Sequence, residues 1–483
     1  MIAEKLVVIG LDGAHFELIT PWIEDGILPH IEQVMREGIS STMEACLPPV
    51  TSPNWKCYST GKNPGKLGIF WWRNVDKRER KVYFPIERKN QSKELWDYLG
   101  DTGYKVCVIN TPLTYPPKKI NGIMISGGPD AAEKGFTYPR ELEKELKERY
   151  GYRVHPKHSI EINKDQAVEE IFDLIKSRFE VALDLLDTES FDFVQITTFY
   201  LNVLHHFFWD QQPSKKAWKL VDTYIGKLLE REENIDIIFM SDHGSNKIET
   251  VFNINTWLHK EGYLKYNFRY RRSKIISKLG ITLENLKRIA EALGIKSLLS
   301  KGLPQNVRTS IPRRQGEMKK EEKADKINWE ESNAFASNQG PVYILNDKRG
   351  LKEELKEKLE AITNPEQKKV IKRVYEREEI YAGDYLKEAP DLIVDQARNV
   401  YIKGSLGKED IFEVPGRWRG ENKREGLFIG YGPDFKVGTL ERISILDLVP
   451  TILTLYGKEI PEEMDGEARA IFNEESKIQN IAH

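Results

Sequence analysis

The sequence predicts an α/β protein with a mostly parallel central sheet flanked by helices, and three observations carry that expectation. Short apolar runs recur at Lys5–Ile9 (KLVVI), Lys105–Asn110 (KVCVIN), Phe191–Thr197 (FDFVQIT), Ile235–Met240 (IDIIFM), Leu427–Ile429 and Asp391–Val394. They read as strands buried on both faces, because a strand with one wet face would alternate apolar and polar residues. Amphipathic helical stretches lie between them, at Leu28–Ile39, Asp165–Asp187 and Ser214–Arg231. Strands that alternate with helices build parallel sheets. Finally, chemically able residues follow two of the runs directly: Gly10-Leu11-Asp12-Gly13 after the first and Ser241-Asp242-His243-Gly244 after IDIIFM. Open α/β sheets place ligands at the carboxyl ends of their strands.

The alternating pattern covers residues 1–263 and resumes over 327–475, with 476–483 as a tail. Residues 264–326 break it. They are rich in Lys and Arg (FRYRRSK, KGLPQNVRTSIPRRQGEMKKEEK), with Leu283–Leu299 as the clearest helix. The expectation is an inserted basic helical cap or lid. It either faces an anionic substrate or presents a solvated basic surface.

Composition excludes several classes. The chain has 483 residues, 40% hydrophobic and 31% charged, with a formal net charge of −2. That is ordinary for a globular protein and gives no global signal for nucleic acid. No apolar run approaches the ~18–20 residues that span a bilayer. The opening MIAEKLVVIGLDG leads from a strand into a turn and does not read as a secretory signal. The three cysteines, Cys46, Cys57 and Cys107, are too few and scattered for a disulfide framework or a cysteine zinc site. A cytoplasmic protein is expected.

Asp12, Asp242 and His243 all follow strands, so they can converge on one divalent cation. Carboxylate and imidazole donors suit zinc, manganese or a similar ion. An Asp-Gly pair alone would be a turn signal, but SDHG after a strongly apolar strand sets adjacent polar groups at the sheet's functional edge. LPPVTSPNW adds a hydroxyl at a turn or helix start. Thr51 is a poor nucleophile at its free pKa, and metal coordination is one way to activate it.

These pieces resemble the alkaline phosphatase superfamily, in particular its type I phosphodiesterase/nucleotide pyrophosphatase branch. The resemblance runs through VVIGLDG, PPVTSPNW, STGKNPGKLGI, SDHG, APDLIV, REGLFIGYGP and ILDLVPTILTLYGKEIPEEMDG, in that order. It implies an alkaline-phosphatase-like core and a metal-dependent phosphohydrolase that cleaves a phosphodiester or nucleotide pyrophosphate bond through a covalent phosphothreonine. It implies Thr51 as nucleophile, with Ser52 the chemical rival, and one metal held by Asp12, Asp242, His243 and Thr51. Zinc is the expected ion, with manganese, magnesium or calcium as alternatives. The expected partner is a small phosphate-ester or nucleotide-like molecule.

The sequence departs from that family at the second metal. An Asp, a His four residues later and a distant His are implied there; the first position is Asn202, His206 matches the second, and the third falls at or near Asn422. No histidine occurs between His259 and His483. Leu67 stands where the family's PGxHG has its histidine. An Asn supplies an amide oxygen and no charge, so it is a feeble zinc ligand. Three readings stay open. One metal works with Arg417, Arg419, Lys423 or Arg424 replacing the lost cation at the phosphate. A harder ion tolerates the Asn oxygens. Or turnover is lost and the fold serves binding. Monoester or sulfate-ester hydrolysis and phosphoryl transfer are alternatives on the same scaffold. Asn54 either donates to a phosphate oxygen or organises the helix start, and Trp71 and Trp72 either wall a leaving-group pocket or pack in a core.

Overall fold

The structure, a computed structural model, describes residues 5–231, 234–268, 324–346 and 348–473, with a few isolated positions between 269 and 323. The expected helix at Leu283–Leu299 lies almost wholly outside the described residues, as does the tail from 476.

In chain order the strands around the site are β1 (Lys5–Gly10), β2 (Ile39–Glu44), β3 (Val106–Ile109), β4 (Gly122–Ile125), β5 (Thr137–Tyr138) and β6 (Phe193–Thr197). There follow β7 (Ile235–Met240), β8 (Gly244–Lys247), β9 (Gly420–Lys423), β10 (Glu425–Tyr431) and β11 (Gly438–Ser444). Nine of them form one sheet in the order β11-β2-β10-β7-β1-β6-β3-β4-β5. The block β7-β1-β6-β3-β4 is parallel throughout. β8 and β9 pair separately as an antiparallel ribbon, with Ser245 opposite Asn422.

The helices that pack beside β1 or carry site residues include α1 (Pro29–Glu37), α2 (Thr51–Thr60), α3 (Lys164–Thr188), α4 (Phe199–Phe208), α5 (Gln212–Leu229) and α6 (Leu448–Leu455). The pleat of β1 sorts its side chains between two cores. Val7 and Ile9 pack with residues of α1, α3, α4 and α5. Leu6 and Val8 pack with α2 and α6. A strand covered on both sides has no solvent face, which is why KLVVI reads as a continuous apolar run.

Two expectations change and one open alternative is decided. Leu427–Ile429 does lie in the main sheet, but within β10, antiparallel to both β7 and β2. A doubly buried strand has the same apolar pattern in either direction, so its sequence cannot reveal polarity. The Asp391–Val394 run becomes Leu392–Gln396 in a separate four-stranded antiparallel sheet with Pro341–Ile344 and Ile371–Glu376, built on its own core around Phe335, Val342 and Leu355. Of the two placements open for Thr51, a turn or a helix start, the structure shows the second: it is the first residue of α2. Pro53 is tolerated there because the first N–H groups of a helix have no intrahelical acceptor to lose.

Candidate active site

β1 and β7 are neighbours in register, with Gly10 beside Met240. The residues that follow each strand therefore emerge side by side, and this brings Asp12 against Asp242 and His243. Donor atoms of these three groups lie within 4.8 Å of one another, all three residues are fully buried, and they form the one such acidic–imidazole cluster among the described residues. His243 Nε2 stands 3.2 Å from Asp242 Oδ2 and 3.8 Å from Asp12 Oδ1. Thr51 Oγ1 reaches the same nitrogen at 3.1 Å. His243 Nδ1 donates to the Gly244 carbonyl at 2.8 Å, which leaves the Nε2 lone pair aimed at this point.

Supporting contacts hold each group. Trp55 Nε1 donates to Asp12 Oδ2 at 2.9 Å, and the Gly13 amide donates to Asp242 Oδ1 at 3.3 Å. Ser241 Oγ donates to the Ala14 carbonyl at 2.8 Å and accepts from the Leu427 amide at 2.9 Å, so it ties the loop after β1 to β10. Gly10 is required where it stands, since a Cβ there would lie 2.4 Å from the Trp55 ring.

The electrostatics are those of an uncompensated anionic hole. Burial pushes the Asp12 carboxyl up to about 7. Burial, then the Asp12 charge, pushes Asp242 well above the ordinary carboxylate range. Burial lowers His243 to about 3, so it is a neutral lone-pair donor at neutral pH. Asp12 Oδ1 and Asp242 Oδ2 are buried with no hydrogen-bond partner. Unpartnered buried oxygens are costly unless something outside the chain uses them. Two oxygens, an imidazole nitrogen and a hydroxyl suit one divalent ion, and the residues present fit it.

The second constellation also assembles, and its groups bond one another in part, with Asn202 Oδ1 left buried and without a hydrogen-bond partner. Asn202 and His206 lie one turn apart on α4, and Asn422 comes from β9. The Asn202 amide nitrogen stands 3.3 Å from both His206 Nε2 and Asn422 Oδ1. His206 Nδ1 donates to the Gly420 carbonyl at 2.8 Å, and its ring stacks on Trp418 at 4.0 Å. Burial lowers His206 to about 4. No carboxylate takes part in this trio, and the Asn202 amide nitrogen occupies the imidazole lone pair.

Thr51, Ser52, Asn202, His206 and Asn422 line a cavity of about 880 Å³. The nominated cations do not. Arg417 is exposed and donates to the Glu161 carbonyl; Arg419 is exposed, and its backbone amide bonds His206 O. Lys423 Nζ pairs with Glu17 at 3.3 Å, and Arg424 Nε donates to the Ala45 carbonyl. Trp418, Glu421 and Asn422 of the Arg417–Arg424 stretch line the cavity, and its basic residues do not. Asn54 spends its amide nitrogen on the carbonyls of Cys46, Pro48 and Val50 and its oxygen on the Cys46 amide, so it organises the start of α2.

Four functional residues carried little or no signal. Trp55, four residues after Thr51, shares its helix face, a spacing that could have found it. Trp418 and Glu421 sit in GRWRGEN beside Asn422 and line the cavity. Gln339 comes from a turn of the second sheet, and nothing in its sequence context points to the site. Its backbone is left-handed, with φ of 61°.

A largely parallel sheet carrying carboxylates and an imidazole at its carboxyl edge, with a hydroxyl at the start of a facing helix, is the layout of alkaline-phosphatase-like hydrolases. The chain belongs to the type I phosphodiesterase/nucleotide pyrophosphatase family, whose pattern it matches over residues 6–424. With that membership it is a phosphodiesterase/pyrophosphatase-type hydrolase. Among solved structures it is similar to phosphonoacetate hydrolase from Sinorhizobium meliloti 1021 in complex with phosphonoformate, at 15% identity and a TM-score of 0.55 over 93% of this chain and 94% of that one. It is also similar to human ectonucleotide pyrophosphatase/phosphodiesterase 5, at 12% identity and a TM-score of 0.54 over 97% and 100% of the two chains. The murine counterpart aligns at 15% identity and a TM-score of 0.51, over 95% and 96%. At these identities the likeness speaks to the fold alone. No curated protein matches the chain in sequence. No helix among the described residues is long and apolar enough to cross a membrane.

Proposed function

We propose that the chain hydrolyses a phosphodiester or pyrophosphate bond of a small substrate, with Thr51 as nucleophile and one divalent ion on Asp12, Asp242 and His243. The observation that carries this reading is the convergence of Thr51 Oγ1 with the His243 lone pair and two orphaned carboxylate oxygens. Thr51 Oγ forms a bond to phosphorus as the ester oxygen on the opposite side leaves and takes up a proton. Water then cleaves the phosphothreonine, releasing the monoester and restoring the hydroxyl. Thr51 is preferred to Ser52 because its oxygen is the one bonded to His243. When bound, the ion supplies charge neutralisation at the transferred phosphoryl and lowers the pKa of the hydroxyl. The start of α2 adds a positive helix end beside Oγ.

One ion is proposed rather than two because the Asn202–His206–Asn422 trio has no carboxylate, its imidazole lone pair is taken by the Asn202 amide nitrogen, and only a neutral amide oxygen, Asn202 Oδ1, is left buried without a partner, whereas the first cluster leaves two carboxylate oxygens unpartnered. Zinc suits the donor set. The three free cysteines suit a reducing compartment such as the cytoplasm.

The test is nitrophenol release from bis(p-nitrophenyl) phosphate by metal-stripped protein, with zinc, manganese, magnesium or calcium restored in turn. Turnover should depend on metal, fall by ~10³-fold or more in Thr51→Ala, and survive in Thr51→Ser. Thr51→Ala at full activity would sink the mechanism. A p-nitrophenyl monoester or sulfate ester outrunning the diester would move the reading to those rival reactions.

A further inference from the structure

Beyond the reacting corner, the cavity wall is aromatic and its ionic groups are mostly acidic. Trp71, Trp72, Phe335, Tyr401 and Trp418 all line it. Two of the indoles are joined by one hydrogen-bonded bar. Trp71 Nε1 donates to Gln339 Oε1 at 2.9 Å, Gln339 Nε2 donates to Glu421 Oε1 at 2.7 Å, and Trp418 Nε1 donates to Glu421 Oε2 at 2.9 Å. The Asn422 amide adds a third donor to Glu421 at 2.9 Å. With only N–H donors around it, the Glu421 side chain accepts as a carboxylate; it is almost fully buried at the cavity wall, and burial pushes its pKa up to about 7, so it carries its full charge above that pH.

Charge around the cavity follows from this. Among the described residues the lining carries two carboxylates, Asp130 and Glu421, and one cation, Arg73, whose guanidinium lies 4.7 Å from the Phe84 ring. None of the basic residues of the Arg417–Arg424 stretch lines the cavity, and Arg417, Lys423 and Arg424 are engaged elsewhere. A second negative group on the substrate that lay against Glu421 would meet a buried carboxylate whose hydrogen bonds all come from neutral N–H donors. Flat neutral groups suit the indoles, and cations add attraction to the ring faces.

We propose that this cavity selects phosphodiesters whose group beyond the scissile phosphoryl is flat and uncharged or cationic, and rejects those carrying a further anion such as a polyphosphate, with Glu421 as the specificity residue. This rests on the hydrolase reading above. Gln339 and Glu421 act as positioning residues for Trp71 and Trp418, holding the two walls at a set separation.

Three esters that all release p-nitrophenol separate the charge effect from leaving-group chemistry. They are p-nitrophenyl phenyl phosphate, its 4-carboxyphenyl analogue and its 4-(trimethylammonio)phenyl analogue. For the metal-loaded protein kcat/KM should rank cationic at or above neutral, with neutral above anionic by about tenfold or more. Glu421→Gln removes the charge and should narrow the neutral-to-anionic ratio at least about threefold. Its amide also faces the Trp418 N–H donor-to-donor, so KM for the neutral ester should rise. Gln339→Ala, which keeps the carboxylate, should raise KM for all three esters and preserve the ranking. An anionic ester hydrolysed as well as the neutral one, or a ratio unmoved in Glu421→Gln, overturns this specificity while leaving the hydrolase intact. Release from none of the three that depends on Thr51 overturns both.

Discussion

Removing one of the two buried carboxylates should stabilise the metal-free protein and abolish its response to metal. Donor atoms of Asp12, Asp242 and His243 lie within 4.8 Å of each other. Two full charges at that separation repel by about 3 kcal/mol at an effective dielectric constant of ~20. The fold lowers that repulsion by retaining protons: burial holds Asp12 up to about 7, and burial with the Asp12 charge holds Asp242 well above the ordinary carboxylate range. Both carboxyls thus have folded pKa values above their unfolded value near 4. The metal-free fold gains protons relative to the unfolded chain, and it loses stability as pH rises from about 4 through 7. His243, held near 3 by burial, adds no proton in that window. A divalent ion must displace the retained protons, so its apparent affinity should tighten about tenfold per pH unit for each proton lost below about pH 7. Asp242→Asn keeps the shape and deletes one charge. In chelator at about pH 8 it should melt above wild type, with the gap closing toward pH 5. Zinc should raise the wild-type Tm and leave the variant nearly unmoved, and calorimetry in two buffers of different ionisation enthalpy should count fewer protons released. A variant that melts below wild type in chelator at about pH 8 would refute the reasoning, as would a metal affinity flat across pH 5.5–7.5.

Two further outcomes follow from particular contacts. Gly13 has φ of 71°, and a Cβ there would lie 2.3 Å from Asn202 Oδ1; Gly13→Ala should cost about 1–3 kcal/mol in urea melts and lower turnover, and a wild-type midpoint with wild-type kcat/KM would contradict this. Asp236 is buried beside Asp434, and burial, then that neighbour, raises its carboxyl to about 8. Its folded pKa exceeds the unfolded one, so the fold's stability contribution from it drains away between about pH 4 and 8. Asp236→Asn should therefore gain Tm over wild type by an amount that grows with pH in that window, at most ~1.4 kcal/mol per unit. A gain equal at both ends, or a loss at about pH 8, would exclude ionisation as its cause.

The sequence by itself pointed to the parallel block of the sheet, because KLVVI, KVCVIN, FDFVQIT and IDIIFM are apolar on both faces and alternate with amphipathic helical stretches long enough for parallel crossovers. It also determined which residues follow those strands, and the spacing of Asn202 and His206 placed both on one face of α4. Tertiary structure decided the rest. Strand direction for Leu427–Ile429 was hidden, since a doubly buried strand reads the same both ways. The separate sheet holding Leu392–Gln396 was hidden for the same reason. Which side chains of GRWRGENK face the cavity depended on the pairing of β8 with β9, and that pairing turned Glu421 and Asn422 in while Arg417, Arg419 and Lys423 went elsewhere. The contrast between a first cluster with two orphaned carboxylate oxygens and a second with one neutral amide oxygen left over could not be read from residue types, because hydrogen-bond satisfaction is a property of distances. Gln339 joins Trp71 to Glu421 across long sequence separations, a contact that no local pattern encodes and only the packed fold creates.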